Sequence, residues 1–288
     1  EPVEVVADVI VMADAGGVPI PAVGTDGPGY PTDHGETSTI RQVADVGAVA
    51  WSRVVFATTL SPCIMCTRTL IHLHHLGLDK IVIAESDSFA GHGEMLWARG
   101  MTVVELANAG ARALMRGYAR RYPWDWAADI GGIPPADQGW VARLAADRAL
   151  QVRLLDQVAA MAGEGSKAGV VSSDGAVVQA VDGRREFGDN PTMSAPMIAM
   201  GRAGSSLNLR DCVLVFVAAE RRQPLTIREF GEASLGACEL FRPAAILSDG
   251  AVGEDLAVPL TAKGIRLIPE GREFAKPGCY PSRPRSKT

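Results

Sequence analysis

Two short stretches decide how this chain is read: His34-Gly35-Glu36 and, farther along, Pro62-Cys63-Ile64-Met65-Cys66. Each falls where a helical pattern begins, the second with four residues between it and the apolar run Val54-Val55-Phe56-Ala57. A lone Cys-x-x-Cys suits half of a structural zinc site or a redox pair, and a lone His-x-Glu arises by chance. Together they supply one imidazole and two thiolates, a set that gives Zn²⁺ three protein ligands and leaves a fourth position for water, as in a catalytic centre. The partial positive charge at a helix start favours ionised thiols, which suits Cys63 and Cys66 as ligands. Glu36, two residues beyond the first ligand, is placed beside that water without binding the metal, where its carboxylate can carry protons as a general acid and base.

Working outward, a helical pattern at Val5, Val6, Val9, Ile10 and Met12 ends at Gly16-Gly17, followed by a strand-like Val18-Pro19-Ile20 and a Gly/Pro/Asp-rich loop that runs into His34. Apolar spacing predicts a helix over 35–49, a buried strand over 54–57, a helix over 62–76 and a second buried strand over 80–84. A short helix over 95–100, a strand over 102–106 and a helical region over 109–128 complete this half. The alternation predicts an α/β fold with a sheet covered on both faces.

Residues 131–139 (GGIPPADQG) interrupt the pattern with glycines and prolines and read as an interdomain linker, dividing the chain into 1–132 and 133–288. The second part opens with a helical pattern over 140–162 and a hairpin of 168–172 with 176–181 around Asp174-Gly175. Helices over 192–201, 226–241 and 255–262 then alternate with strands over 212–218, 244–247 and 265–268. This order repeats that of the first part, and the run Gly93-Glu94-Met95-Leu96 with its following strand matches Gly253-Glu254-Asp255-Leu256 with its own. We read an internal duplication whose second copy is degenerate. Where the copy should carry His-x-Glu it reads Asn190-Pro191-Thr192-Met193-Ser194-Ala195-Pro196, and in place of Pro-Cys-x-x-Cys it reads Leu225-Thr226-Ile227-Arg228-Glu229-Phe230. All five histidines precede residue 93, so this half cannot build the same metal site.

Bulk properties narrow the function classes. With 47% hydrophobic and 21% charged residues the chain can fill packed cores, and no apolar stretch approaches membrane-spanning length. The start, Glu1-Pro2-Val3-Glu4, lacks the basic character of a signal peptide, and five scattered cysteines do not make a disulfide scaffold, so a soluble, cytoplasmic protein is expected. A net charge of −5, with its one basic cluster in the tail from Lys276 to Lys287, disfavours nucleic acid as partner and favours a small molecule. His72, His74 and His75 are expected to pack rather than bind metal, and Cys212 and Cys238 to be core residues.

The His-x-Glu…Pro-Cys-x-x-Cys pattern is the signature of zinc-dependent deaminases. Over most of the first 130 residues the sequence resembles the yeast-type cytosine deaminases, within the cytidine-deaminase superfamily. The resemblance is carried in order by His34-Gly35-Glu36-Thr37-Ser38-Thr39, Thr58-Thr59-Leu60-Ser61-Pro62-Cys63-Ile64-Met65-Cys66 and Asp125-Trp126-Ala127-Ala128-Asp129-Ile130-Gly131. It implies a cytidine-deaminase-like three-layer α/β/α sandwich, present here as two tandem copies. It also implies a Zn²⁺ cofactor held by His34, Cys63 and Cys66, with Glu36 as the proton shuttle. By the same resemblance Trp126 stacks on a pyrimidine, Asp129 binds its exocyclic amine, Phe89 is a pocket aromatic, and the backbone of Gly35 and Ser61 binds the base edge. The expected reaction is hydrolytic deamination of a free nucleobase, cytosine first; guanine, isocytosine, creatinine or another cyclic amidine, and a non-catalytic binding role, are the alternatives. The family's subunits pair, so the second copy is expected to act as an intrachain pseudo-subunit, with homodimerisation as a further expectation. One departure stands out: the family has a hairpin carrying a base-orienting Asn before the His-x-Glu helix, where this chain has only residues 21–33 (PAVGTDGPGYPTD) and no counterpart of that Asn.

Overall fold

The apolar runs of each half assemble into a separate five-stranded sheet in the computed structural model. It describes residues 12–13, 19–20, 32–43, 45–131, 139–163, 165–174, 177–181, 190, 193–204, 209–219 and 224–269. In the first half, β1 (Met12–Ala13) and β2 (Pro19–Ile20) form an antiparallel pair. After them come α1 (Gly35–Arg41), β3 (Val55–Leu60), α2 (Ile64–His75), β4 (Lys80–Glu85), α3 (Gly93–Ala98), β5 (Thr102–Glu105), α4 (Ala109–Arg121) and α5 (Pro123–Asp129). The strand order is β2-β1-β3-β4-β5, with β3, β4 and β5 parallel and β1 antiparallel to β3. Parallel neighbours require a crossover, and α2 and α3 provide the two between β3, β4 and β5.

The second half runs α6 (Gly139–Ala146), α7 (Arg148–Ala159), β6 (Lys167–Val171), β7 (Val177–Val181), α8 (Ala195–Ala203), β8 (Val213–Val217), α9 (Ile227–Phe230), α10 (Glu232–Phe241), β9 (Ala245–Ser248), α11 (Glu254–Ala262) and β10 (Arg266–Pro269). Its sheet has the order β7-β6-β8-β9-β10, with β6 antiparallel to both neighbours and β8, β9 and β10 parallel. The two sheets therefore share both strand order and strand sense. Every residue of β8 is buried, as a central strand covered on both faces requires. Leu214 and Phe216 pack under α8 and α10, while Val213, Val215 and Val217 pack under α6 and α7, which makes this half three-layered.

Several expected helices are shorter, each for a local reason. The helix expected over 35–49 ends at Arg41, and Asp45 caps a separate 3₁₀ turn (Val46–Ala48) by accepting from the Ala48 amide at 3.1 Å. The region 109–128 divides between α4 and α5 at Pro123, which has no amide hydrogen to continue a helix but suits the first helical position. The 140–162 pattern breaks at Asp147, whose carboxylate caps α7 by accepting from the Leu150 amide at 2.9 Å. Met12 is in strand β1 rather than at the end of a helix; the rest of that helical pattern lies outside the described residues. A short apolar run fits strand and helix alike, so its period does not decide between them.

The halves meet along α2 and α10. Cys63, Ile64, Met65 and Cys66 belong to the same packed cluster as Met197, Leu235, Cys238 and Phe230, whereas Leu70, Ile71 and Leu73 of the same helix belong to the first half's own cluster with Phe56 and Ile81. Asn190 adds a hydrogen bond across the halves, its side-chain amide donating to the Ile40 carbonyl at 3.4 Å. No helix among the described residues is long and apolar enough to cross a membrane.

Candidate active site

Two helix starts bring the motif residues together. His34 is the N-cap of α1 and Cys63 the N-cap of α2, both in extended backbone conformation, so their side chains leave the chain just ahead of each helix, and Cys66 follows in the first turn of α2. The His34 Nδ1 atom lies 3.4 Å from the Cys63 Sγ and 3.6 Å from the Cys66 Sγ. A tetrahedral zinc with ordinary Zn–N and Zn–S bond lengths separates its nitrogen from each sulfur by about 3.5 Å, so these spacings fit the ion. All three residues are buried, and one ligand atom from each lies within 4.8 Å of the others. Among the described residues they form the one such cluster.

The thiols are unequal. Burial opposes ionisation of Cys63, but hydrogen bonding with Cys66 and the adjacent His34 imidazole outweigh it and hold this thiol well below the usual range. Burial and the neighbouring Cys63 push Cys66 up, and Glu36 adds to the effect, which places the Glu36 carboxylate beside the ligand cluster. Glu36 is itself buried, and its Oε1 lies 3.0 Å from the Thr58 hydroxyl on β3. That hydroxyl is also 2.8 Å from the Leu60 carbonyl oxygen, so its one hydrogen is shared between two acceptors.

A cavity opens over this cluster, lined by His34, Glu36, Ser61, Cys63, Phe89 and Trp126, with Asp129 and Tyr118 at its wall. Phe89 and Trp126 meet edge to face, with ring centroids 6.4 Å apart and planes at 84°. The Phe89 loop is held by buried Glu85, whose Oε2 accepts from the amides of Asp87 and Ser88 at 3.0 Å each. It closes at Gly91, where φ is +61° and a β-carbon would lie 2.3 Å from the Ser61 Oγ, so only glycine fits. Both hydrogen-bond donors of Ser61 are used on this segment, the amide to the Glu85 carbonyl and the hydroxyl to that of Ala90, each at 2.9 Å. Gly35 begins α1 and is buried, its carbonyl accepting from the Thr39 hydroxyl at 2.8 Å; it is not among the residues lining the cavity.

Residues 5–85 match the cytidine and deoxycytidylate deaminase zinc-binding region. The cytosine deaminase of Candida albicans (strain SC5314 / ATCC MYA-2876) is 32% identical over 98 residues, which make up 34% of this chain and 63% of that protein. The chain thus spans a little under two thirds of that relative's length. A deaminase zinc-binding region, with the buried His-Cys-Cys cluster just described, makes zinc the cofactor of the site.

Around this zinc-binding region the structure adds residues that the motifs do not name. Tyr118 on α4 packs edge-on against Trp126 at 6.3 Å and reaches Asp129. Met115 is a further addition outside the motifs, while Thr58 and Ile130 lie within the stretches that carry the resemblance but have no role assigned there. The other histidines stay apart: His74 sits with Nδ1 2.7 Å from the Leu78 carbonyl oxygen and Nε2 3.1 Å from that of Arg99. His72 is lowered by burial and by His75, and His92 lies 3.5 Å from Glu94. Cys212 and Cys238 are buried; burial, with Asp211 and Asp174 adding, pushes Cys212 up to about 12, and burial raises Cys238 also.

One assignment in the second half changes. The helix expected over 226–241 is two helices between β8 and β9: the short α9, with a Thr226–Glu229 capping box, and α10, with N-cap Gly231. Ser194 is the N-cap of α8, as His34 is of α1, and its hydroxyl meets that of Ser234, three residues after Gly231. Ser194 and Gly231 are thus helix N-caps, as His34 and Cys63 are, and Ser234 is the third residue of α10 as Cys66 is of α2.

Proposed function

We propose that the protein is a zinc-dependent hydrolytic deaminase of a free nucleobase, cytosine before others, releasing uracil and ammonia. The observation that carries this reading is the convergence of His34, Cys63 and Cys66 beside Glu36, beneath one cavity walled by Phe89, Trp126 and Asp129. When bound by the three ligands, zinc supplies the Lewis acidity that makes water a nucleophile near neutral pH. Glu36, beside the ligands and hydrogen-bonded by Thr58, would take one proton of that water and deliver it to the ring nitrogen, then take the second from the hydroxyl added to the ring carbon and deliver it to the amine as the C–N bond breaks, so that ammonia leaves and the carbonyl forms. Trp126 and Phe89 present ring edges and faces suited to a single planar heterocycle, and Asp129 is an acceptor for an exocyclic amine. Ser61, in the cavity lining, completes the base-binding assignment through its carbonyl, and the Gly35 backbone belongs to it by the resemblance alone, its neighbours His34 and Glu36 lining the cavity.

The second half, residues 133–288, is in this reading a degenerate copy of the catalytic domain at 1–132 and serves as its in-chain pseudo-subunit in a cytoplasmic enzyme. Shared strand order and sense support this, as do Ser194, Gly231 and Ser234 at the same helix positions as the ligands and the α2–α10 contact between equivalent helices. The experiment is ammonia release by zinc-loaded protein from cytosine, isocytosine, guanine, creatinine and the matching nucleosides. Turnover of cytosine with no turnover of cytidine is expected. Zinc-loaded protein that releases ammonia from none of them would refute the deaminase reading.

A further inference from the structure

We infer that α10 of the second half sets the geometry of the metal ligands: Glu232, Gly236 and Glu239 hold the start of α2 through Arg68 and Met65 and act as positioning residues for Cys63 and Cys66. This rests on the ligand assignment above, but not on the deamination reaction.

The sulfur positions depend on the path of the first turn of α2, since Cys63 precedes that turn and Cys66 lies within it. That turn packs away from its own sheet. Cys63, Ile64, Met65 and Cys66 belong to the cluster built by the second half, and Leu70 is the first α2 residue in the first half's cluster. Whatever fixes α10 against α2 thus fixes the ligand turn.

Two contacts do this. At Gly236 a β-carbon would lie 2.7 Å from the Met65 Cα and 3.0 Å from the Ile64 carbonyl oxygen, so the two backbones touch at the ligand turn with no side chain between them. Flanking that point on α10 are Glu232 and Glu239. Arg68 reaches both: its Nη1 donates to Glu232 Oε2 at 2.9 Å, and its Nε donates to Glu239 Oε2. The side chains are 8%, 11% and 7% exposed. A planar guanidinium held by two carboxylates on either side of a close approach fixes both rotation and sliding of one helix on the other. Buried ionic groups are best attested in such a register-setting role.

The test uses the full chain and reads metal binding. Glu239→Gln removes the charge from one side of the clamp at constant size, and Gly236→Ala forces the backbones apart. Zinc affinity is measured by competition with a chromophoric chelator, and the ligand field by the absorption spectrum of the Co²⁺-substituted protein. Loss of residues that support metal ligands weakens affinity by about 10- to 100-fold, and a loss of that size with an altered cobalt spectrum is expected in both variants. An affinity within about twofold of the parent and an unchanged cobalt spectrum in Glu239→Gln would overturn the inference, whatever happens to thermal stability. If Gly236→Ala gives no soluble protein, Glu239→Gln decides alone. Normal zinc binding with no ammonia released from any base would defeat the proposed reaction and leave this inference standing.

Discussion

The Tyr118 hydroxyl donates to the Asp129 Oδ2 at 3.1 Å while the same ring packs edge-on against Trp126. One side chain on α4 thereby braces both α5 residues assigned to the base, although α5 is a single short helix after the break at Pro123. A hydrogen bond to a charged group is worth about 1.5–3 kcal/mol, and this one is only part-buried, so the lower end applies. Tyr118→Phe is expected to raise KM about tenfold with a smaller change in kcat, because it frees Asp129 without touching the ligands or Glu36. Steady-state kinetics on the base that proves to be the substrate checks this; an unchanged KM would reduce Tyr118 to a packing residue.

Replacing Glu36 by Gln keeps the shape of the site and its contact with Thr58 but removes the group able to carry a proton. Zinc content should stay near the parent's while kcat falls by about 10²- to 10⁴-fold, the usual worth of general acid and base catalysis. Thr58→Val is expected to have a smaller effect of the same kind, seen as a fall in kcat at constant zinc content. A Glu36→Gln enzyme with parental kcat would remove Glu36 from the proton path.

Metal analysis should find one zinc per chain, since His34, Cys63 and Cys66 make the one cluster of suitable donors among the described residues. Cys63→Ala or Cys66→Ala leaves two protein ligands where three are needed and should abolish stoichiometric binding. Zinc that survives the double substitution would place the metal elsewhere.

The parts of this site that could be read from the sequence are those where chemistry is tied to spacing along the chain. His-x-Glu and Pro-Cys-x-x-Cys each fix residues within one helix start, so their identity carries their position. The alternation of strands and helices was equally legible, because buried strands such as β8 are continuous apolar runs. Tyr118 and Thr58 were not, because each acts through a partner brought near only by folding: Tyr118 needs α5 to fold back at Pro123, and Thr58 needs β3 beside the start of α1. The apolar spacing over 226–241 suits a single helix, in which the segment 225–230 stands where Pro-Cys-x-x-Cys is expected. Gly231, with φ at +92°, closes α9 and opens α10, a break that one glycine inside a helical pattern signals only weakly. Arg68 is the same problem at longer range, since both of its partners lie in the other half.

The last prediction concerns the two halves as separate chains. Cutting in the 131–139 linker and producing 1–136 alone would expose Ile64 and Met65, which are buried at 6% and 0% exposure in the intact protein. It would also strip Arg68 of both carboxylates. Uncovering such side chains forfeits roughly 1.5–3 kcal/mol for each, a large share of a domain's total stability of about 5–15 kcal/mol. The damage falls on the turn that carries Cys63 and Cys66, so metal binding and solubility should fail together rather than independently. Residues 1–136 are therefore expected to be poorly soluble and weak in zinc binding, and co-expression with 137–288 should restore both. Arg68→Ala in the full chain is the matching point test: it leaves Glu232 and Glu239 buried without their cation, and breaking a buried pair in this way costs about 3–5 kcal/mol, read as a lower denaturation midpoint. A fragment 1–136 that is soluble, binds zinc as tightly as the full chain and turns over substrate at the same rate would show that the second half serves neither the fold nor the metal site of the first.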